Sequence, residues 1–218
     1  MKSSPLFPTT LSSIAAATLL VGTADAQFTV YDDFNSASVS MTKWEGIDTS
    51  ANFPTISGGV ASLTGSQYFR STEAFPIGST IRIEFVTVAG NAVVAGTNSN
   101  TSSGFAADDA LYTRNDGGGA VYGDGSVAQG GAPTPTVGFI DYVIGFSNLE
   151  IFDDNVNVFT SPRFGTFDEA QRVELGVYQN TGGQQLVVEQ VLVQVPEPGS
   201  LALLSLGGIG LLAHRRRS

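Results

Sequence analysis

The chain contains no cysteine, and it has a single histidine among its 218 residues. Without cysteine, neither a disulfide framework nor a thiolate nucleophile is available. The one histidine, His214, lies beside three arginines close to the C-terminus. A Ser-His-Asp or Cys-His catalytic site and a histidine-ligated zinc centre are therefore excluded from the body of the chain.

Positive charge is also scarce. Lys and Arg number 10 against 20 Asp and Glu, and the formal net charge is −10. Because Lys2 and Arg215 to Arg217 lie near the ends, the middle of the chain is more acidic still. A nucleic-acid partner requires a basic surface to meet the phosphates, so nucleic acid is excluded as a partner.

The N-terminus has the features of a secretory signal peptide. Met1 and Lys2 precede an apolar stretch from Leu11 to Val21, and the small-x-small pattern Ala24-Asp25-Ala26 follows. This order is typical of an exported chain, and it predicts a signal peptide over residues 1–26 with cleavage after Ala26. The alternative is a packed or anchoring helix, for which the apolar run is short.

A short apolar segment followed by three arginines ends the chain. Leu201 to Ala213 is apolar or small throughout, and at about 1.5 Å per residue it makes roughly 20 Å of helix, less than the roughly 30 Å of a bilayer core. Arg215, Arg216 and Arg217 form a cationic stop that favours the cytoplasmic side. Before the apolar run, the trio Pro196-Glu197-Pro198 is a stiff, extended spacer, because each proline restricts itself and its predecessor.

Taken in order, the Pro-Glu-Pro trio, the apolar segment and the arginine cluster of residues 196–218 resemble the PEP-CTERM sorting signal. In that family an exosortase, a membrane-embedded protease, processes the tail. The resemblance implies an exported protein of an exopolysaccharide-producing bacterium. Residues 201–213 would hold the protein in the membrane until processing, after which it would lie at the cell surface or outside the cell. An ordinary C-terminal membrane anchor is the alternative.

Between Gln27 and Val195 the sequence favours strands. β-Branched and aromatic residues recur in short runs bounded by Gly, Asn, Asp and Pro, without helical periodicity. With 42% hydrophobic residues in the chain, this segment is large enough for one domain with one core. Long glycine-rich loops are predicted over Asn98–Ser103 and Asn115–Ala132. The predicted strands are Phe28–Tyr31, Val60–Leu63, Tyr68–Ser71, Thr80–Val88, Ala92–Ala95, Ala110–Thr113, Val137–Ser147, Glu150–Phe152, Val156–Phe159, Arg172–Gln179 and Gln185–Val193.

A closed barrel and a two-sheet sandwich both fit this strand pattern. Four short motifs favour the sandwich: Asp32-Asp33-Phe34-Asn35, Lys43-Trp44, Phe69-Arg70-Ser71 and Ile81–Phe85. Together they resemble the opening of the concanavalin A-like lectin/glucanase jelly rolls. The resemblance implies that residues 27–195 form an antiparallel β-sandwich of the jelly-roll kind.

Carboxylates are the remaining candidates for catalysis. A glycoside hydrolase needs two of them about 5 to 10 Å apart, and the jelly-roll glucanases carry theirs on one strand as E-x-D-x-x-E. This sequence has no such motif. Glu150 and Asp153 differ by an odd number of residues and would face opposite sides of a strand, while Asp168, Glu169 and Glu174 match the motif no better. We therefore predict no catalytic residue, and we predict that the protein is not an enzyme.

Several loops are rich in oxygen ligands that suit calcium. They also suit Asx-turns, which is the interpretation preferred here, so no metal and no cofactor are predicted. The loop residues concerned are Asp108, Asp109, Asn115, Asp116, Asp124, Asp153, Asp154 and Asn155. Aromatic side chains could stack on sugar rings, although Trp44 is assigned to the core. The other aromatic candidates are Tyr68, Tyr112, Tyr122, Tyr142 and Tyr178.

These features predict an exported, non-catalytic protein with a structural or adhesive role in exopolysaccharide or biofilm. The alternative is a carbohydrate-binding, lectin-like module, and a glycoside hydrolase is the third hypothesis. The predicted partners are an exosortase, the membrane through the tail, and extracellular polysaccharide.

Overall fold

The computed structural model describes residues 27–46, 53–90, 93–98, 110–115, 120–123, 128–132, 138–162, 170–177 and 183–196. Pro196 is therefore the last described residue. Several predictions lie outside the described residues and stay predictions. They concern the signal peptide with Ala24 and Ala26, the loop acids Asp108, Asp109, Asp116, Asp124, Asp168 and Glu169, the aromatic candidate Tyr178, and the tail with Glu197, Pro198, residues 201–213 and Arg215–Arg217.

The described residues form one short helix and fifteen strands. The helix, α1, spans Ala37–Lys43. The strands are β1 (Thr29–Asp32), β2 (Trp44–Gly46), β3 (Thr55–Ser57), β4 (Val60–Thr64), β5 (Gln67–Ser71), β6 (Thr80–Ala89), β7 (Val93–Asn98), β8 (Ala110–Asn115), β9 (Ala120–Gly123), β10 (Ala128–Ala132), β11 (Gly138–Ile144), β12 (Asn148–Asp153), β13 (Val156–Pro162), β14 (Arg172–Val177) and β15 (Gln185–Gln194).

The strands build two antiparallel sheets. In the first sheet the order is β13-β12-β11-β6-β15-β4-β3, with β1 also paired to β15. In the second sheet the order is β10-β9-β8-β7-β14-β5-β2. Neighbours in space are often distant in sequence, as in β6 with β15 and β7 with β14. The predicted antiparallel β-sandwich is confirmed.

One large hydrophobic core lies between the two sheets. In β6, Ile81, Ile83 and Phe85 are buried there, whereas Arg82 and Glu84 face outward, as strand alternation predicts. The second sheet supplies alternate residues of its central strand β14 to the same core: Val173, Leu175 and Val177. The pattern that identifies each strand therefore also decides which side chains stay on the outer face of its sheet.

The structure differs from the sequence-based prediction in its short elements. Helix α1 and strands β2 and β3 were not predicted, because segments of three to seven residues carry too little periodicity to recognise. Strands β9 and β10 lie inside a stretch predicted as a loop. Its glycines obscure the strand pattern, and antiparallel pairing with neighbouring strands forms β9 and β10 instead.

The Asp-Asp-Phe-Asn and Lys-Trp motifs meet at one buried corner. Asp32 is 2% exposed and accepts hydrogen bonds from Trp44 Nε1 at 2.8 Å, from Ser40 Oγ at 3.0 Å and from the backbone N–H of Phe34 at 3.1 Å. Trp44 packs edge-on against Tyr31, with ring centroids 5.6 Å apart. These contacts join β1, α1 and β2. The acidic motif is therefore structural, and the assignment of Trp44 to the core is confirmed.

Candidate functional site

The outer face of the second sheet, which points away from the core, carries an unusual row of side chains. Registered pairs join Glu45 of β2 to Arg70 of β5, and Arg70 to Glu174 of β14. The row continues from Glu174 to Gly96 of β7 and from Gly96 to Tyr112 of β8. Five neighbouring strands thus place acid, base, acid, glycine and aromatic side by side. We call these five residues the outer-face row.

Strand alternation explains why the row exists. Glu174 lies between Val173 and Leu175, which both enter the core, so its own side chain must leave on the opposite face. Phe69 also enters the core, so the side chain of the next residue, Arg70, leaves on the outer face. Both residues are nevertheless buried: Glu174 is 0% exposed, and both of its carboxylate oxygens are shielded from solvent. Glutamate is rarely fully buried in proteins, so its enclosure on the outer face of a sheet marks the position as a candidate for function.

Two arginines converge on one carboxylate at the edge of the row. Glu45 Oε1 accepts from Arg70 Nη2 at 2.6 Å and Nε at 3.1 Å, and also from Arg172 Nη1 at 2.8 Å. The side chain of Glu45 is 41% exposed, whereas that of Arg70 is 9% exposed. This cluster fixes the guanidinium of Arg70 beside Glu174 and leaves the Glu45 end open to solvent.

An apolar patch adjoins the charged part of the row. Val94 and Tyr112 form a second hydrophobic cluster, separate from the inter-sheet core, with Tyr68 and Val121 packed against it. Gly176 lies under Tyr68, since a Cβ there would approach Tyr68 Cδ1 to 2.5 Å. The missing side chain therefore allows the Tyr68 ring to lie on the sheet. The outer face thus combines flat aromatic surface with charged hydrogen-bonding groups.

The carboxylates considered from the sequence lie elsewhere. On β12, Glu150 is on the outer face of the first sheet, where its Oε1 accepts from Asn157 Nδ2 at 3.3 Å. Asp153 points toward the second sheet and accepts from Tyr122 Oη at 2.8 Å. The prediction that these two acids face opposite sides is confirmed, and the structure does not bring them together.

Burial raises the pKa values of Asp153 and Tyr122, the hydrogen-bonded pair that joins the two sheets. It raises the pKa of the Asp153 carboxyl, and the charge of Asp154 raises it further, although the hydrogen bond from Tyr122 opposes them. Burial also raises the pKa of Tyr122, with the hydrogen bond to Asp153 adding to the effect. Tyr142 is fully buried, which raises its pKa, and its hydroxyl donates to the carbonyl of Ala95 at 2.9 Å. Tyr122 and Tyr142 therefore belong to the core.

Asp154, a candidate for calcium, is part of a turn. It has φ +46°, and its Oδ1 accepts from the backbone N–H of Phe139 at 3.0 Å. Within the described stretches, no group of three or more His, Cys, Asp or Glu side chains is arranged to hold a metal ion.

Sequence reasoning considered Glu174 only as a poor match to a motif, and it gave no role to Glu45 or Arg172. A usable signal was present. In Arg172–Val177, a single acid interrupts a strand that is otherwise apolar or glycine after its first residue. A lone carboxylate at the centre of such a strand indicates an enclosed, polar position on one face.

Part of the chain matches a known motif. Residues 194–217 match the PEP-CTERM protein-sorting motif, which begins at the last residue of β15. The motif indicates an exported protein that an exosortase processes and that is anchored through its C-terminal tail beforehand. No curated protein sequence matches the chain. None of the described residues forms a helix long and apolar enough to cross a bilayer.

Solved structures share the fold. The Crh5 transglycosylase in complex with NAG is 13% identical, with a TM-score of 0.55 over 80% of this chain and 86% of its own. A glycosyl hydrolase family protein from Mycobacterium fortuitum is 13% identical, with a TM-score of 0.53 over 76% and 99%. LamA from Z. galactanivorans, in complex with laminaritriose and laminaritetraose, is 11% identical, with a TM-score of 0.56 over 78% and 99%. The resemblance to glucanase jelly rolls is confirmed.

These structures correct one prediction. The chain was predicted not to be an enzyme because it lacks the E-x-D-x-x-E motif. That prediction is wrong: the solved structures that share its fold include a transglycosylase and glycosyl hydrolases, so the missing motif does not exclude enzymatic activity. The absence of one strand motif is too narrow a criterion, because carboxylates on neighbouring strands can also meet on one face of a sheet.

Proposed function

We propose that this exported protein is carbohydrate-active and binds a polysaccharide of the cell surface or biofilm matrix across the outer face of the second sheet. The observation that carries the proposal is the outer-face row, in which Glu45, Arg70 and Glu174 lie beside the Tyr68 aromatic surface. The shared fold supports it, since the neighbouring structures act on or hold sugars according to their names.

The chemistry of the face suits a sugar. A pyranose ring offers apolar C–H surface on its faces and hydroxyls around its rim. Aromatic rings such as Tyr68 provide a flat partner for the C–H surface. Carboxylates accept hydrogen bonds from sugar hydroxyls, and guanidinium groups donate hydrogen bonds to the hydroxyl oxygens. Hydrogen bonds with a charged partner are about twice as strong as neutral ones. Glu45, which is partly exposed, would meet the hydroxyls at the open end of the row.

The face also supports glycoside cleavage or transfer as a second candidate function. Glu45 and Glu174 lie on strands separated only by β5, which puts their Cα atoms about 10 Å apart at about 4.8 Å per strand. Side-chain carboxyls that start from this separation can reach the roughly 5 to 10 Å that glycoside hydrolysis requires. Their environments differ, since Glu174 is enclosed while Glu45 is held by two arginines at the open edge. Different environments are what separate the acid and base roles of paired carboxylates.

Binding is tested with the full chain on an array of bacterial and algal polysaccharides. The test variant Tyr68→Leu removes an aromatic ring from the outer face of the second sheet. The matched control Phe152→Leu does the same on the outer face of the first sheet, where Phe152 pairs with Asp141. We expect about a tenfold loss of affinity, equal to about 1.4 kcal/mol, for the first variant only. Equal losses in both variants, or binding to no polysaccharide, would contradict the proposal.

Turnover is tested separately by release of reducing ends from β-glucans. Glu174→Gln keeps the shape of the side chain and removes its charge, and Glu150→Gln is the control on the first sheet. Activity that falls by about a hundredfold or more in the first variant and persists in the second would assign catalysis to the row. Activity that survives Glu174→Gln would remove this acid from the reaction.

A further inference from the structure

The tail leaves the fold at a defined place. Pro196 is the second residue after β15 and lies over Gly78, since a Cβ on Gly78 would be 2.7 Å from Pro196 Cγ. The same Cβ would be 2.9 Å from Phe146 Cε2, so Pro196 and Phe146 share one side of this glycine. The first proline of the sorting trio is thus packed against the sandwich. We call residues 76–79, 145–148 and 195–196 the tail-exit surface.

This surface is held in place by the backbone. The N–H of Gly78 donates to the carbonyl of Ile144 at 2.6 Å, and the N–H of Ile144 donates to the carbonyl of Ser79 at 3.0 Å. Ile144 and Ser79 are both 0% exposed. The loop before β6 and the hairpin between β11 and β12 are therefore joined at the point where the tail departs.

The tail-exit surface is uncharged and exposes two large apolar side chains, Phe146 and Val195. Its three segments read Pro-Ile-Gly-Ser, Gly-Phe-Ser-Asn and Val-Pro, without an ionisable side chain, in a protein whose net charge is −10. Phe146 is 57% exposed and Val195 is 41% exposed. An exposed phenylalanine at a hairpin end beside an exposed valine is a surface that water solvates poorly.

Chain length places this surface near the membrane. Only Glu197 to Ser200 separate Pro196 from Leu201, where the apolar run begins. Five Cα-to-Cα steps span at most about 18 Å, even fully extended. While the tail anchors the protein, the tail-exit surface therefore stays within about 18 Å of the start of the anchoring segment.

We propose that the tail-exit surface rests on the lipid bilayer while the tail is in place, with the Phe146 ring in the interfacial layer. Aromatic and apolar side chains are stabilised at that depth. Because the surface has no basic residue, the contact depends on apolar burial and not on anionic headgroups. The proposal rests on the sorting motif and is independent of the carbohydrate-binding proposal.

The test places a fluorescent probe beyond each end of strand β12, at Phe146 or at Val156. The full chain is reconstituted through its tail into phosphatidylcholine vesicles with brominated acyl chains, and inserted protein is isolated by flotation. Phe146→Trp is the test variant. Val156→Trp is the matched control, because Val156 is 64% exposed and begins β13 at the far end of β12, about 17 Å away at about 3.4 Å per residue. Trp44, the single native tryptophan, is 4% exposed and provides the background.

We expect bromine to quench the Phe146→Trp emission at least twofold more than the Val156→Trp emission, equally at low and high salt. Equal quenching of the two variants, or quenching of neither, would overturn the proposal. A further variant, Phe146→Ser, is followed for tail processing in cells that have an exosortase. Slower processing without quenching in pure lipid vesicles would also overturn the proposal, because the surface would then contact a protein.

Discussion

On both sheets, side chains alternate between the core and the outer face, but the charged side chains of the two outer faces are paired differently. On the first sheet, Arg82 Nε and Nη2 each donate to Asp141 at 2.7 Å, and the guanidinium lies 3.8 Å from the Phe139 ring centroid. Glu84 accepts from Gln190 at 2.6 Å. Each of these groups is satisfied by its cross-strand neighbour, which is the ordinary way to stabilise a sheet surface.

The second sheet has a different arrangement. It encloses Glu174, gathers two arginines on Glu45, and places glycines at positions 96 and 176 between larger side chains. Glycine in the middle of a strand weakens it and often marks a close approach of another group. The first face therefore pairs its charges across neighbouring strands, whereas the second combines a buried acid, two arginines on one carboxylate and glycines under larger side chains. Substitutions on the two faces test that difference.

The largest effect is expected at Gly96. A Cβ there would lie 2.2 Å from the carbonyl oxygen of Leu111 and 2.7 Å from the Cα of Tyr112, and backbone atoms cannot move aside. We expect Gly96→Val to lower the free energy of unfolding by about 3 kcal/mol. The control Gly58→Ala meets no atom within 4 Å and carries only the strain of φ +63°, about 1 to 2 kcal/mol. Urea denaturation measures both, and equal losses would show that the strand spacing at Gly96 is not tight.

A smaller loss of stability is expected from a substitution on the outer face of the first sheet. Arg82→Met leaves Asp141, which is 8% exposed, without its bidentate partner. We expect a loss of about 2 kcal/mol of stability, because a mostly buried carboxylate is costly without its partner. Affinity for polysaccharide should not change. The same denaturation assay and the glycan array check this, and weaker binding would mean that the first face also contacts the ligand.

Substitution of Glu45 should have the opposite effect to Arg82→Met, with little change in stability and a loss of polysaccharide affinity. Its ion pairs are partly exposed, so Glu45→Gln should change stability by less than about 1 kcal/mol. Polysaccharide affinity should nevertheless fall by about tenfold, about 1.4 kcal/mol. The control is Glu84→Gln on the first face, which should leave binding unchanged. If both variants bind equally well, the difference between the faces has no functional meaning.

The smallest effect on stability is expected at Asp153, which is hydrogen-bonded to Tyr122 between the two sheets. Burial raises the pKa of Asp153 in the folded protein above its unfolded value of 3.8. The folded state therefore holds the Asp153 proton to higher pH, so the contribution of Asp153 to stability is greatest below about pH 3.8 and is lost as pH rises through the raised pKa. Asp153→Asn keeps the shape and should remove this part of the pH dependence of the melting temperature. An unchanged dependence would assign the effect to other acids.

Much of the fold could be predicted because its cause is local. Ile81, Ile83 and Phe85 alternate with charged residues, and that period identifies both the strand and its buried face. The Asp32 and Trp44 motifs could be recognised as a family feature, but only the structure shows that they form one hydrogen-bonded corner. Strands β9 and β10 were missed, because they form by pairing with neighbouring strands and this leaves little trace in a glycine-rich sequence.

The candidate site could not be predicted, because its parts are distant in the chain. Glu45, Arg70 and Glu174 come from three strands that are neighbours in the sheet but far apart in the sequence. No spacing rule along the chain joins such residues. The search for E-x-D-x-x-E considered one strand at a time and therefore missed a row that runs across strands.

The sequence by itself determined most of the strands, which face of each of them is apolar, and that residues 194–217 carry a sorting motif. These are properties of neighbours along the chain, where side-chain periodicity and residue type are sufficient. Tertiary structure alone decided that Glu174 is enclosed beside Arg70, and that Phe146 and Pro196 meet over Gly78. Both depend on the antiparallel pairing of remote strands, which is set by the packing of the whole core.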